Sequence, residues 1–407
     1  MVDRNHLVRQ PVLDADQILV AYGLQVRERD AEAGNEPRVP TSRSARALLN
    51  AVNSPSFGRL VGDCQVFADL PGEFLYQELD GFLPRRSAVL MLPQPAVEAG
   101  LEEAVRERHA EGLEVGFEVR VAEGLGDAEI LSHAADYLRF DVASFANPSD
   151  LTSVVAPYRG GRARWMATNV HDQETFQRCR ALGFSLFQGQ FFTQPAVFAS
   201  DAFSPRQSVL LELFGQLSND AEFDDIEATF KRNPDLSHQL LELLNSAAFR
   251  RQEPIYSIRQ SLVLLGKNNL RKWIALLLFA EDDQAGGNNP LFDEAVIRAR
   301  TMELAAGRIQ NSDAFTGSAF LTGVFSVIQA LLMRPMQRIA QDLNLDRPIA
   351  TALLERRGVL GELLATVEAL REQRGVAPEV TIGEHVYTDR DWFEFEEQAA
   401  FEYSLGS

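Results

Sequence analysis

One change of hydrophobic grammar, near DAFSPRQ at 201–207, constrains the fold of this 407-residue chain more than any other feature. Before it, short alternating runs are separated by helical stretches. QVFADL (65–70), AVLML (88–92), FEVRVAE (117–123), YLRFDV (137–142) and RWMATNV (164–170) read as strands. PAVEAGLEEAVRERHAEG (95–112) and DQETFQRCRALG (172–183) read as helices between them. Such alternation predicts parallel βαβ units. About seven or eight units fit a (β/α)8-type, TIM-like barrel, with an open doubly wound sheet as the alternative. After the change, apolar residues recur at three- and four-residue spacing in SVLLELFGQL, LSHQLLELLNSAAFR, NNLRKWIALLLFA and SAFLTGVFSVIQALLMR, which predicts an all-helical region. The last stretch, beginning VTIGEHVYTDRDWF, is acidic and aromatic and reads as a strand-like arm plus a helix. The expected division is 1–200 for the barrel, 201–380 for the helical domain and 381–407 for the arm.

Charge narrows the function. The formal net charge is −19, which repels phosphate backbones and argues against nucleic acid as a partner. The longest helical apolar run, WIALLLFA at 273–280, ends in EDDQ and is too short to span a bilayer. The opening MVDRNHLVRQ lacks the apolar core of a signal peptide, so a cytoplasmic protein with no membrane partner is expected. Cys64 and Cys179 read as small buried apolar residues. The six histidines show no metal-binding spacing, and HExxH, CxxC, GxSxG and a P-loop are all lacking. Gly266-Lys267 reads as a helix break with a solvated lysine. No cofactor is expected on these grounds.

Two segments stand out. VAYGLQVR (20–27) alternates like a strand but has Gly23 in its middle, where glycine is costly. ALGFSLFQGQFFTQP (181–195) runs from a helix stop at Gly183 into an apolar strand interrupted at Gln188-Gly189. With YLRFDV, these segments resemble the EAL domain of cyclic di-GMP phosphodiesterases: residues 183–195 follow that family's closing motif, and RQPVLDADQILVAYGLQVR its usual start. The resemblance implies a barrel that hydrolyses the dinucleotide with one or two divalent cations held by carboxylates and an asparagine. Carried over residue by residue, it puts Gly23 at the first glutamate and Arg27 at the arginine that follows it. The asparagine position holds Asp69, and the next glutamate position Met91. The paired aspartates fall at Ala122 and Glu123, the lysine at Arg139 with Asp141 behind it, and two further glutamates at Thr168 and His171. Arg27, Asp141 and Gln188 are the positions kept, as vestigial ligand contacts. The metal-site positions are read as degenerate, leaving no metal and no catalytic residue.

The helical half resembles an HDOD domain, a relative of HD-type phosphohydrolases. LLELLNSAAFRRQEPIYSIRQSLVLLGKNNLRKW (240–273) and the later RARTMELAA and FLTGVFSVIQALL carry the likeness. The His-Asp pair of metal-dependent relatives corresponds to Ser326 and Val327, and His238 is the lone histidine between 201 and 380. The resemblance implies an interaction module. Together these readings predict a chain that is not an enzyme: a bacterial signalling scaffold with a dead EAL barrel and a metal-free HDOD domain. Its expected partners are signalling proteins such as a kinase, a diguanylate cyclase or a response regulator. The alternative is a receptor that binds cyclic di-GMP without metal or hydrolysis. Cyclic di-GMP is thus a possible but unfavoured ligand. Stoichiometry is open, a homodimer included.

Overall fold

The computed structural model describes residues 6–27, 41–52, 61, 64–77, 88–93, 100–119, 128–145, 148–194, 203–246, 254–280, 289–371 and 379–406. The chain divides into two compact units, 1–192 and 193–407.

The first unit is a closed eight-stranded barrel. Its strands are β1 (His6–Asp14), β2 (Leu19–Arg27), β3 (Gln65–Asp69), β4 (Ala88–Pro93), β5 (Glu114–Glu118), β6 (Tyr137–Asp141), β7 (Arg164–Thr168) and β8 (Leu186–Gln188). They follow one another around the barrel in chain order. From β2 to β8 all neighbours are parallel. β1 is antiparallel to both β2 and β8. The barrel expected from the sequence is therefore present, closed rather than open, but one strand runs against the other seven. A tight turn makes this reversal. The Asp14 carboxylate accepts from the backbone N–H of Asp16 and of Ile18, both at 2.9 Å, and Gln17 adopts φ 63°. An Asp folding back onto its own following backbone is a local turn device.

Two expected elements shift. The described fifth strand is Glu114–Glu118, starting three residues before FEVRVAE, whose last four residues lie outside the described residues. Gly116 lies inside that strand, and without a side chain it weakened the alternation that would have marked it. SLFQGQFF shrinks to the three residues of β8, because Gly189 turns away at φ 148° and Phe191–Thr193 form a 3-10 turn. A β-carbon at Gly189 would fall 2.1 Å from the Val170 carbonyl oxygen, so only glycine fits this approach. Gly23 makes no bulge. It pairs in register with Gln10 and with Phe67, and the irregularity of β1 lies at Val12/Leu13.

The second unit is helical, as its periodicity predicts. Two helices, Pro290–Ile309 and Asp313–Phe325, form an antiparallel-type pair at its centre. Gly323 sets their spacing, since a β-carbon there would lie 2.5 Å from Ala299 Cα. Helices Pro205–Ser218, Ile258–Leu277, Arg347–Glu355 and Gly358–Arg371 surround the pair. Ile258–Leu277 breaks at Gly266 (φ 75°), and Lys267 beside it pairs with Asp220. The acidic end of the chain forms a hairpin, Glu379–Ile382 with His385–Thr388, and a helix Asp389–Gly406 packed on Pro290–Ile309. Buried Tyr387 anchors it by donating to the Ala305 carbonyl at 2.8 Å.

Among the described residues no helix is long and apolar enough to cross a membrane.

Candidate functional site

Alternate residues of each barrel strand face the interior, and they sort into three levels. At the end where the parallel strands begin, the Tyr137 hydroxyl lies 3.2 Å from Glu114 Oε2 and 3.3 Å from Gln65 Oε1, and Gln65 donates to Glu114. Burial and the Glu114 charge both push the Tyr137 phenol upward. This level plugs the base. Above it sits an apolar level of Val12, Ala21, Phe67, Val89, Met91, Met166 and Leu186. Here Gly116 gives up its side-chain space to Met91: a β-carbon on it would fall 2.3 Å from Met91 Sδ.

The level at the strands' C-terminal ends is polar. Barrel proteins present functional side chains at this end. Arg139, third in β6, reaches across the interior. Its Nη1 donates to Asp69 Oδ1 at 2.6 Å and its Nη2 to Glu118 Oε2 at 2.8 Å. The Arg139 and Asp69 side chains are each 10% exposed and that of Glu118 24%. Burial works against the guanidinium's charge, but Asp69 and Glu118 outweigh it and hold Arg139 above its ordinary range. Beside this bridge Asp141 accepts from Asn169 Nδ2 and from the Ala143 backbone N–H, both at 3.0 Å. Asn169 itself sits at φ 57°. Thr168 is turned aside, donating to the Phe140 carbonyl at 3.2 Å.

Gln188 completes the level. It is 4% exposed and donates to the Gln10 side chain. Its amide fills the room left by Gly23, where a β-carbon would lie 2.9 Å from Gln188 Nε2. Gly23 is thus matched by a side chain from another strand.

The structure therefore brings together Gly23, Asp69, Met91, Asp141, Thr168 and Gln188 at or just below one mouth. His171 follows two residues after Asn169, with a buried Nδ1 that lacks a hydrogen-bond partner. Arg27 ends β2 on the same side, with its side chain outside the described residues. Ala122 and Glu123 also lie outside the described residues. The acidic group that ends the fifth strand is Glu118. Sequence reading missed it by starting that strand three residues along.

A hard divalent cation needs several converging oxygen ligands. Among the described residues no group of three or more His, Cys, Asp or Glu side chains is placed to hold a metal. The two mouth carboxylates closest to such a role are turned onto Arg139. The described side chains do not fit the cation that the EAL resemblance implies.

In the helical unit, the Ser326 hydroxyl donates to the Gly323 carbonyl at 2.7 Å and accepts from Arg298 Nη1 at 3.3 Å. Arg298 is buried against Glu294 (2.7 Å), which also meets Arg371 (2.6 Å). Burial opposes the Glu294 charge, but Arg371 and Arg298 overcome it and bring the carboxyl down to about 2. Val327 is fully buried. His238 is exposed and pairs with Glu242 at 3.2 Å.

Comparison with known proteins fits this two-part build. A family model described as the HDOD domain matches residues 207–346. That stretch is an HDOD domain. Over 370 residues the chain is 26% identical to "Cyclic di-GMP phosphodiesterase CdgJ" of Vibrio cholerae, covering 90% of this chain and 85% of that one. It is 24% identical over 373 residues to "Uncharacterized protein YuxH" of Bacillus subtilis, covering 90% of each. Among solved structures it is similar to an EAL domain protein from Listeria monocytogenes EGD-e, at 16% identity and TM-score 0.37, over 47% of this chain and 87% of that one. It is also similar to the EAL domain of Mycobacterium smegmatis DcpA, at 21% identity and TM-score 0.36, over 46% and 90%. The barrel is established by its own closed strand order.

The Vibrio cholerae relative corrects the functional expectation. A protein aligned over both units carries the name of a phosphodiesterase, which overturns the reading of a non-enzymatic scaffold and of a chain that is no enzyme. That reading weighed strand positions one at a time. It counted carboxylates by alignment and so passed over Glu118, which only the barrel's register places at the mouth.

Proposed function

We propose that this chain is a cyclic di-GMP phosphodiesterase of EAL–HDOD build, with the dinucleotide taken at the C-terminal mouth of the barrel. The observation that carries the reading is the extent of the likeness to the Vibrio cholerae phosphodiesterase, which runs across 90% of this chain and 85% of that one. The polar level at the mouth supports the place. The ligand is a ring with two phosphodiesters, so it needs donors aimed into a cleft, and anionic oxygens favour guanidinium and amide groups. Arg27 at the end of β2 is the guanidinium assigned to a phosphate. Gln188 offers an amide, and Asp141 with its partner Asn169 accepts from and donates to a base edge or ribose. The described carboxylates do not assemble a cation cage. What these residues do is bind and orient the ring in a mouth partly shielded from water. The HDOD domain is read as the part that meets protein partners of the same signalling route. The cytoplasm is the place where such a nucleotide signal is met.

Calorimetric titration of cyclic di-GMP into the full chain tests the site. Binding is expected, weakened on the order of tenfold in Gln188→Ala through loss of one buried hydrogen-bonding group. Unchanged binding in a Gln188→Ala/Arg27→Ala double variant would place the ligand elsewhere and sink the assignment.

A further inference from the structure

The mouth poses a charge problem that the resemblance does not solve. Asp69 and Glu118 end strands β3 and β5, and the implied family would aim carboxylates at such strand ends toward a divalent ion. A carboxylate as buried as Asp69, 10% exposed, is costly without a cation beside it. Here that cation is covalently part of the chain. Arg139 is almost wholly buried and forks one nitrogen to each carboxylate, at 2.6 and 2.8 Å. Fork geometry suits this bridging role, since a guanidinium carries its charge over a rigid plane with several donors. Among the described residues, the strand positions on either side of Asp69 add no carboxylate. Met91, between Asp69 and Glu118 in the strand order, packs its thioether over Gly116, and Gln188 fills the room at Gly23.

We propose that Arg139 is the resident cation of the barrel mouth, occupying at Asp69 and Glu118 the place that the resembled family gives to a divalent ion. A divalent ion binds there only by displacing the guanidinium. The inference concerns which positive charge balances the two carboxylates, and its test does not depend on turnover, so it stands or falls apart from the phosphodiesterase reading.

The experiment is a Mn²⁺ titration of the full-length chain, with free Mn²⁺ followed by electron paramagnetic resonance. Wild type is compared with Arg139→Gln, Asp69→Asn and the double variant. The expected result is a Mn²⁺ site in Arg139→Gln at least about tenfold tighter than any in wild type, and its loss in Arg139→Gln/Asp69→Asn. Circular dichroism checks that each variant is folded. If Arg139→Gln does not fold, Arg139→Lys carries the same comparison, because one ammonium cannot fork over two carboxylates. A wild-type Mn²⁺ site that is equally tight and is abolished by Asp69→Asn overturns the proposal. So does a folded Arg139→Gln that gains no Mn²⁺ affinity.

Discussion

At the scale of single residues, the most consequential groups are buried charges whose partners come from elsewhere in the chain. Arg139 bridges partners 70 and 21 residues away, so no periodicity or spacing announces the bridge. Asp69, Asp141 and Gln188 were legible one by one, because each ends a recognisable strand. Their mutual geometry was not. Glu294 in the helical unit makes a sharper prediction. Its carboxyl is 1% exposed and held down at about 2 by Arg371 and Arg298, against an ordinary value of 4.5. A folded-state pKa below the unfolded one contributes stability above the unfolded pKa and loses it as pH falls through the folded one. The contribution should therefore be complete above about pH 5 and fade between about pH 4.5 and 2. Glu294→Gln leaves two guanidiniums short of their counter-charge and should cost about 3–5 kcal/mol near neutral pH. Urea midpoints of wild type and Glu294→Gln, measured from pH 7 down to pH 3, should converge as pH falls. A gap that stays constant over that range would contradict the assignment.

At the scale of elements, close backbone approach decides where glycine is required. Gly323 lets helix Asp313–Phe325 press onto Pro290–Ile309, with space for a β-carbon ending 2.5 Å from Ala299 Cα. Gly215, in Pro205–Ser218, has nothing within 4 Å of the same position. Gly323→Ala should lose about 1–3 kcal/mol or more through overpacking. Gly215→Ala should gain up to about 1 kcal/mol through helix propensity. Thermal unfolding of the two variants reads the contrast directly, and a Gly323→Ala as stable as wild type would remove the close-packing account. The same logic explains what sequence showed of the barrel. QVFAD, AVLML and RWMAT carry β-branched or aromatic residues on a pleated pattern and were found where expected. EVGFE was not, because Gly116 yields its space to Met91 and leaves a hole in the pattern. The reversal of β1 was also invisible, since a hairpin turn built by Asp14 looks locally like any other loop.

At the scale of the whole molecule, the order of two architectures was the most legible feature: a closed barrel first, an HDOD-bearing helical unit after it. The function was less legible, because counting ligands by position treats each strand as independent while a barrel mouth is assembled from all of them. A net charge of −19 also means that an anionic dinucleotide meets a repulsive field at long range, so its affinity has to come from the local donors of the mouth. Turnover is the direct readout of the proposed phosphodiesterase activity. Purified full-length chain should convert cyclic di-GMP to its linear dinucleotide, followed by chromatography, with a rate at least about tenfold lower in Gln188→Ala. No linear product from the folded wild-type chain, with or without Mg²⁺ or Mn²⁺, would contradict the account.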